Sequence, residues 1–223
     1  MAQLQRYARP WTAPAAALAL ARRAEGFAVF GPGGTPTGGG PPLLRMKARL
    51  LGKLLIDHGR ASATEMSVSF HPIWGAPRIS GSALKGVAAA EAESQGLAPE
   101  LRERLFGSQA LCGAVCFTDA VPEDGRFALA LDTLTPHMGP WYRKETHEGR
   151  LLGPVEWTSP VPFSFLAVAE ATFVLDLTIR PGVATEEGVA LLRQAGELLS
   201  EALVFQGAGA KTAAGYGRFS VEG

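Results

Sequence analysis

The 223-residue chain has few cysteines, no surplus of either charge and no long apolar run. Two cysteines, Cys112 and Cys116, are too few to staple a secreted fold, so a reducing, cytoplasmic setting is expected. Lys plus Arg number 21 and Asp plus Glu number 21, which excludes a protein that coats nucleic acid by bulk charge; any polyanion site must be local. The longest apolar stretch, Ala13 to Ala21, is far short of the roughly 20 residues that span a bilayer, and no membrane partner is expected. It ends in Arg22 and Arg23 and reads as a short alanine-rich helix; a signal peptide headed by Arg6 and Arg9 is the alternative. No HExxH or other metal-ligand spacing occurs, and two cysteines without further thiols read as core residues sooner than as a zinc site. Neither a metal nor a cofactor is expected.

The composition is that of a folded protein, with 47% hydrophobic and 19% charged residues. A neutral chain this apolar is poorly protected against association, so a permanent partner is expected. The 27 glycines and 16 prolines act as punctuation. Their densest cluster, Gly31 to Pro42, precludes helix and ladder alike and divides the chain into an N-terminal helix with a Gly/Pro-rich linker (1–43) and a main domain (44–223).

Within the first part, Ala15 to Glu25 reads as a helix started by Pro14. In the main domain Met46 to Gly59 reads as a long strand, and Met66, Val68 and Phe70 alternate before an irregular turn at Pro72, Gly75 and Pro77. Ser80 or Ser82 caps a helix that stops at Gly96, and a second helical stretch runs from Pro99 to Leu105. Gly113–Pro122 and Phe127–Pro136 read as strands around a turn at Glu123 to Gly125, followed by an inserted loop around 137–156. Phe163–Val168 and Ala171–Arg180 read as a further strand pair. Thr185 then caps an amphipathic helix to Val204, with Val189, Leu192, Leu199 and Leu203 on one side. A glycine-rich loop and a short strand close the chain. This order predicts an α+β fold of ferredoxin-like, RRM-like type, an antiparallel sheet backed by two main helices, with an N-terminal helical extension and insertions.

Two segments could hold phosphate. In GSALKG, Gly81, Ser82, Lys85 and Gly86 stand at a helix mouth, where free N–H groups and the dipole favour an anion; a capped helix with closely packed glycines is the plain alternative. In GAGAKTAAGYG, Gly207, Gly209, Lys211, Thr212 and Tyr216 are followed by Arg218, with no acid between Phe205 and Val221. Tyr216 offers a stacking face. A P-loop is excluded, because Ala210 and Phe205 occupy its glycine positions and the loop runs from helix to strand. Thr212 in place of the third glycine likewise excludes a dinucleotide fingerprint.

Charge adds a third element. From Arg45 to Lys85 the cations Arg45, Lys47, Arg49, Lys53, Arg60, Arg78 and Lys85 face only Asp57 and Glu65. If this strand and the glycine loop share a face, they form a basic groove for an RNA or DNA backbone, with Lys47 and Lys53 as contacts. A solvated strand face with partly paired charges is the alternative. His71 is the histidine best placed for general-base chemistry on a ribose hydroxyl, with His137 and His147 as outsiders; a structural hydrogen-bonding histidine is the commoner case. Asp119 and Asp132, near turns, read as caps of backbone N–H groups, with metal binding as the lesser alternative.

Taken together, HPIWGAPRISGSALKGV, LFGS before GAVCFTDAVP, LDTLTPH and GAGAKTAAGYGRF resemble the RAMP superfamily of CRISPR proteins through most of the chain. The G-S-x-L-K-G signature and the terminal glycine loop are both present and in order. The approach through His71, Pro72, Gly75 and Pro77, the Thr135–His137 element and K-T-A-x-G-Y-G are most similar to the sixth-subunit family of the type III-B Cmr complex. Ser80 stands where that family usually has proline. The resemblance implies a ferredoxin-like domain that acts as a non-catalytic, CRISPR-RNA-binding scaffold subunit at the head of an antiviral RNA-guided complex. Its implied partners are CRISPR RNA, the repeated backbone subunit, the other head subunit and, indirectly, target RNA. A metal-independent endoribonuclease that processes CRISPR RNA is the alternative within the superfamily.

Overall fold

The computed structural model describes residues 5–56, 68, 70–135, 138–147, 149–151, 153 and 162–222. Strand β3 (Pro42–Leu50) sets the frame by alternation: Leu44, Met46, Ala48 and Leu50 enter the main core, and Arg45, Lys47 and Arg49 turn to the opposite face. It ends at Leu50, earlier than the sequence suggests, where Leu51 and Gly52 bend the chain; residues 57–59 of the expected strand lie outside those described. Strand β5 (Val121–Leu134), strand β8 (Phe163–Ile179) and strand β9 (Phe219–Glu222) complete an antiparallel sheet in the spatial order β5-β8-β3-β9. With helix α2 (Gly81–Ser94) after β3 and helix α5 (Thr185–Phe205) after β8, this is the ferredoxin-like arrangement.

The expected strand Gly113–Pro122 is divided, its end joining Phe127–Leu134 in the long strand β5, and the expected pair Phe163–Val168 and Ala171–Arg180 is the single strand β8. β5 runs through Glu123 to Gly125 as a bulge, and both halves pair with β8. Asp124 and Gly125 take positive φ there, and the Gly125 carbonyl accepts a hydrogen bond from the Ala13 N–H at 2.8 Å, so the turn residues serve a neighbour without reversing the chain. In β8, Ala169 and Glu170 carry no turn chemistry, and the strand continues past a register shift at Ala128/Leu129. Short β4 (Val115–Phe117) pairs with the far end of β8.

The first 43 residues contribute to the sheet. Strand β1 (Pro10–Thr12) pairs antiparallel with β5, and β2 (Ala28–Phe30) pairs parallel with β3. Between them helix α1 (Pro14–Ala24) lies over half of the face that α2 and α5 leave open, packing Leu20 with Val121 and Val174. Beneath it Asp176, only 1% exposed, receives Arg45 at 2.7 and 2.8 Å and Arg23 at 3.5 Å. Arg45 also donates to the Leu20 carbonyl, and its guanidinium is held above its usual pKa by the hydrogen bond to Asp176.

On the other face α5 buries Leu192, Leu199 and Leu203, and Gly196 lets it close onto Leu44 and Met46. Its N-cap is Ala184, not Thr185, and no side chain caps it. Helix α3 (Pro99–Phe106) flanks α2. In the insert, α4 (Gly139–Tyr142) precedes a small hairpin of β6 (Thr146–His147) and β7 (Arg150–Leu151); residues 137, 148, 152 and 154–156 lie outside the described set.

Candidate nucleic-acid interface

Ser80 is the N-cap of α2: its Oγ accepts from the Ala83 N–H at 3.3 Å. The Gly81 N–H, the donor that a phosphate would claim, is given to Asp119 Oδ1 at 2.9 Å. Arg78 reaches Asp119 Oδ2 at 2.5 Å. Partial burial works to raise the Asp119 carboxyl, but the Gly81 N–H and the Arg78 guanidinium outweigh it and hold it below its usual value. The anion at this helix mouth is thus the protein's own carboxylate. Gly81 is a glycine because a Cβ would strike the Phe117 carbonyl. Ser82, Lys85 and Gly86 remain exposed on the outer side of the first turns, and no carboxylate among the described residues pairs with Lys85.

The glycine loop is folded back on residues 53–55. Gly217 N–H donates to the Lys53 carbonyl at 2.8 Å, Ala210 N–H to Leu55 at 2.9 Å and Ala208 N–H to Gly217 at 2.9 Å. Gly207, Gly209 and Gly217 have φ of 77°, 96° and 63°, and a Cβ on any of them would meet a facing carbonyl. The glycines therefore serve a backbone stack. What the loop presents outward is Lys211, exposed in the left-handed region at φ 59°, and Thr212, which opens a 3-10 turn to Ala214.

Tyr216 points inward. Its hydroxyl donates to Asp132 Oδ2 at 2.7 Å and its ring packs at 6.4 Å against Phe165, so the stacking face expected from the sequence is buried in part against the protein. Lys53 reaches the same carboxylate at 3.0 Å. Burial raises the Asp132 carboxyl, yet the Tyr216 hydroxyl, Lys53 and the Thr133 N–H together bring it below its usual value. Tyr216 is pushed up to about 12 by burial and by the Asp132 acceptor. Arg218 donates to the Phe205 carbonyl and so closes the end of α5.

The basic run is largely neutralised within the fold. Arg45 pairs with Asp176, Lys47 with Glu123 at 2.5 Å, Lys53 with Asp132 and Arg78 with Asp119. Arg60 lies outside the described residues, leaving Arg49 and Lys85. The paired strand face, not a continuous basic groove, is the outcome, because the carboxylates come from distant segments that a count along the sequence does not include. Nor do the two glycine segments meet. Gln95 at the end of α2 bonds Glu201 near the end of α5, and Gln206 bonds Glu91, so the C-terminal ends of the two helices meet. The start of α2 lies on Asp119, next to Thr118 and its partner Asp176, whereas the glycine loop lies on residues 53–55, where Leu54 pairs with Val168; eight residues of β8, about 25 Å, separate the two places.

His71 Nδ1 accepts from the Ile73 and Trp74 N–H groups, each at 3.3 Å, and the ring stacks on Trp74 at 3.7 Å. These bonds place the proton of the neutral ring on Nε2. Burial, and then Arg78, lower its pKa. This is a turn-forming histidine. His147 is exposed in β6, and His137 lies outside the described residues. Cys112 and Cys116, expected in the core, are both exposed. Among the described residues no group of three or more His, Cys, Asp or Glu could hold a metal, and no helix is long and apolar enough to cross a membrane. Sequence reasoning missed Asp176: nothing in a lone Asp within LDL announces the arginine pair from β3 and α1.

A RAMP superfamily model matches residues 37–220. A curated relative, the CRISPR system Cmr subunit Cmr6 of Pyrococcus furiosus, is 36% identical over 120 residues, covering 52% of this chain and 33% of its own. The Cmr6 subunit of Saccharolobus solfataricus is 29% identical over 176 residues, covering 77% of this chain and 51% of its own. This chain thus spans a third to a half of the length of those relatives. A chain in a cryo-EM structure of the type III-B Cmr-beta complex bound to cognate target RNA superposes with a TM-score of 0.61 at 22% identity, covering 81% of this chain and 58% of that one, a likeness of fold.

Proposed function

Because the chain belongs to the RAMP superfamily, we propose that it is a non-catalytic, RNA-binding scaffold subunit of a type III-B Cmr effector complex. It sits at the head of that complex, in the cytoplasm, against the repeated backbone subunit and the other head subunit, and holds CRISPR RNA by its backbone. The observation that carries this reading is that the matched region includes both glycine segments, and each presents one exposed lysine, Lys85 and Lys211, on a rigid support. Ser82 and Thr212 add hydroxyl donors beside them. Such contacts position an RNA without reading its sequence, as any guide requires. Lys47, Lys53, Tyr216 and Arg218 support this surface through internal contacts, and Gly81, Gly207 and Gly209 through close backbone approach.

The processing-nuclease reading finds no support in the geometry, since His71 uses Nδ1 within its own turn. The test is recovery of the tagged protein from its native cell. CRISPR RNA and Cmr chains should co-purify, and Lys85→Ala with Lys211→Ala should reduce both. Recovery of folded protein free of RNA and partners would overturn the proposal.

A further inference from the structure

The half of the open sheet face that α1 does not cover holds a groove of about 450 Å³, within the size range of small-ligand clefts. Its floor is small, made by Ala128, Ala171 and Thr172. Arg49 from β3 and Arg126 from β5 stand at its sides, level with Thr172 on β8, with Glu170 two residues further along that strand and Trp11 at the β1 edge. Both arginines are exposed, and neither pairs with a carboxylate among the described residues. That distinguishes them from Arg45, Lys47, Lys53 and Arg78, which the fold neutralises. Two strand spacings separate β3 from β5, so the guanidinium-bearing positions are about 10 Å apart. Arg9 lies over the Trp11 ring at 4.4 Å and adds a third cation at the rim.

Cations held apart with one acid beside them on the same face and an aromatic edge suit an extended polyanion whose bases carry hydrogen-bond donors. An acidic peptide would match the arginines, but its ionised side chains only accept and give Glu170 no donor, whereas a nucleotide carries an exocyclic amine beside its phosphate. We propose that this groove is a second RNA contact, holding one nucleotide of a single strand with Arg49 and Arg126 on its phosphates and Glu170 accepting from the exocyclic amine of its base. The inference rests on the reading of the chain as an RNA-binding subunit and gives that reading a base preference that its lysines do not supply.

Fluorescence anisotropy of the purified full chain with labelled oligo(C) and oligo(U), over a salt series, tests it, with circular dichroism to verify folding. Oligo(C) should bind at least threefold more tightly than oligo(U). Arg49→Ala with Arg126→Ala should weaken binding about tenfold and flatten the logarithmic salt dependence by about 1.4, or ~0.7 for each lost phosphate contact. Glu170→Gln should narrow the difference between the two oligonucleotides, because the amide both accepts and donates. Lys85→Ala with Lys211→Ala should weaken both alike and keep the preference. Wild-type binding that the groove variants leave untouched overturns the groove alone, as does tighter binding of a polyglutamate peptide than of either oligonucleotide. Absence of any oligonucleotide binding by the wild type overturns both the groove and the RNA-binding reading beneath it.

Discussion

Asp132 is the residue on which the outward presentation of Lys211 depends, and a double-mutant cycle with Tyr216 measures how strongly. The Tyr216 hydroxyl donates to its carboxylate at 2.7 Å, and Lys53 pairs with the same oxygen at 3.0 Å. A hydrogen bond to a charged group contributes about 1.5–3 kcal/mol. The Asp132 side chain is 22% exposed and that of Lys53 38%, so water competes, and the Lys53 pair adds less than about 1 kcal/mol. The total that Asp132→Asn removes is then about 2 kcal/mol, which for a chain of this size lowers Tm by about 4–8 °C. Tyr216→Phe should remove about 1.5 kcal/mol, and the two changes together should cost about 1 kcal/mol less than their sum, since either one already breaks the shared bond. Urea unfolding of the four proteins gives the coupling directly. Additivity within about 0.3 kcal/mol would show that the loop holds its place through the Lys53 and Leu55 backbone bonds alone, and the argument for an Asp132 anchor would fail.

Of the three tyrosines, one should ionise at about 12, seen as phenolate absorbance on alkaline titration, and Asp132→Asn should bring that phase down. Since the folded value lies above the unfolded one of about 10, the stability that Tyr216 supplies is complete below pH 10 and is lost as the pH rises through about 12. Asp119 and Asp132 act in the opposite sense: their depressed values give stability that is present above the ordinary carboxylate pKa and lost in acid below it, as an acid-unfolding series should register. Asp176→Ala should cost about 3 kcal/mol or more in urea unfolding, because it leaves Arg45 and Arg23 facing an unmatched site beneath α1. Gly217→Ala combines a positive φ with a Cβ directed at the Ala208 carbonyl, and a loss of less than about 1 kcal/mol would show that the loop is looser than described. Repeat RNA incubated in EDTA should stay uncut by wild type and His71→Ala alike, as product formation on denaturing gels would reveal.

The helices and the alternating strand β3 were legible because their signals are local: Ser80 before an alanine-rich helix, Gly96 after it, apolar residues every second position in β3. The ferredoxin-like order followed from those elements. What was not legible depends on partners distant in sequence. Glu123–Gly125 has turn composition, yet the ladder to β8 continues on both sides of it and Ala13 takes the Gly125 carbonyl, so tertiary pairing converts a turn into a bulge. The basic run from Arg45 to Lys85 is correct as a count and misleading as a surface, since its carboxylates lie between Asp119 and Asp176. Asp119 and Asp132 were readable as caps because short polar side chains near turns usually bond backbone N–H groups, and they do so at Gly81 and Thr133.

The zero net charge has a structural meaning that a basic-face description lacks. Four of the seven cations from Arg45 to Lys85 are paired with carboxylates of the same chain, Arg45 beneath α1 and Lys47, Lys53 and Arg78 nearer the surface, so their charge is already matched within the fold. The cations still available stand apart: Lys85 near the start of α2, Lys211 beyond the end of α5, Arg49 and Arg126 across the sheet. On segments separated by about 25 Å of β8, Lys85 and Lys211 cannot share one phosphate. Each must meet a different stretch of polyanion, and a long RNA strand meets that requirement where a small anionic ligand does not. Under the proposed function, the arrangement would supply several weak, dispersed backbone contacts on a rigid frame. Affinity would then arise from their sum along one strand, and that proposed function is tested by whether the double lysine variant and the double arginine variant each lose only part of the binding.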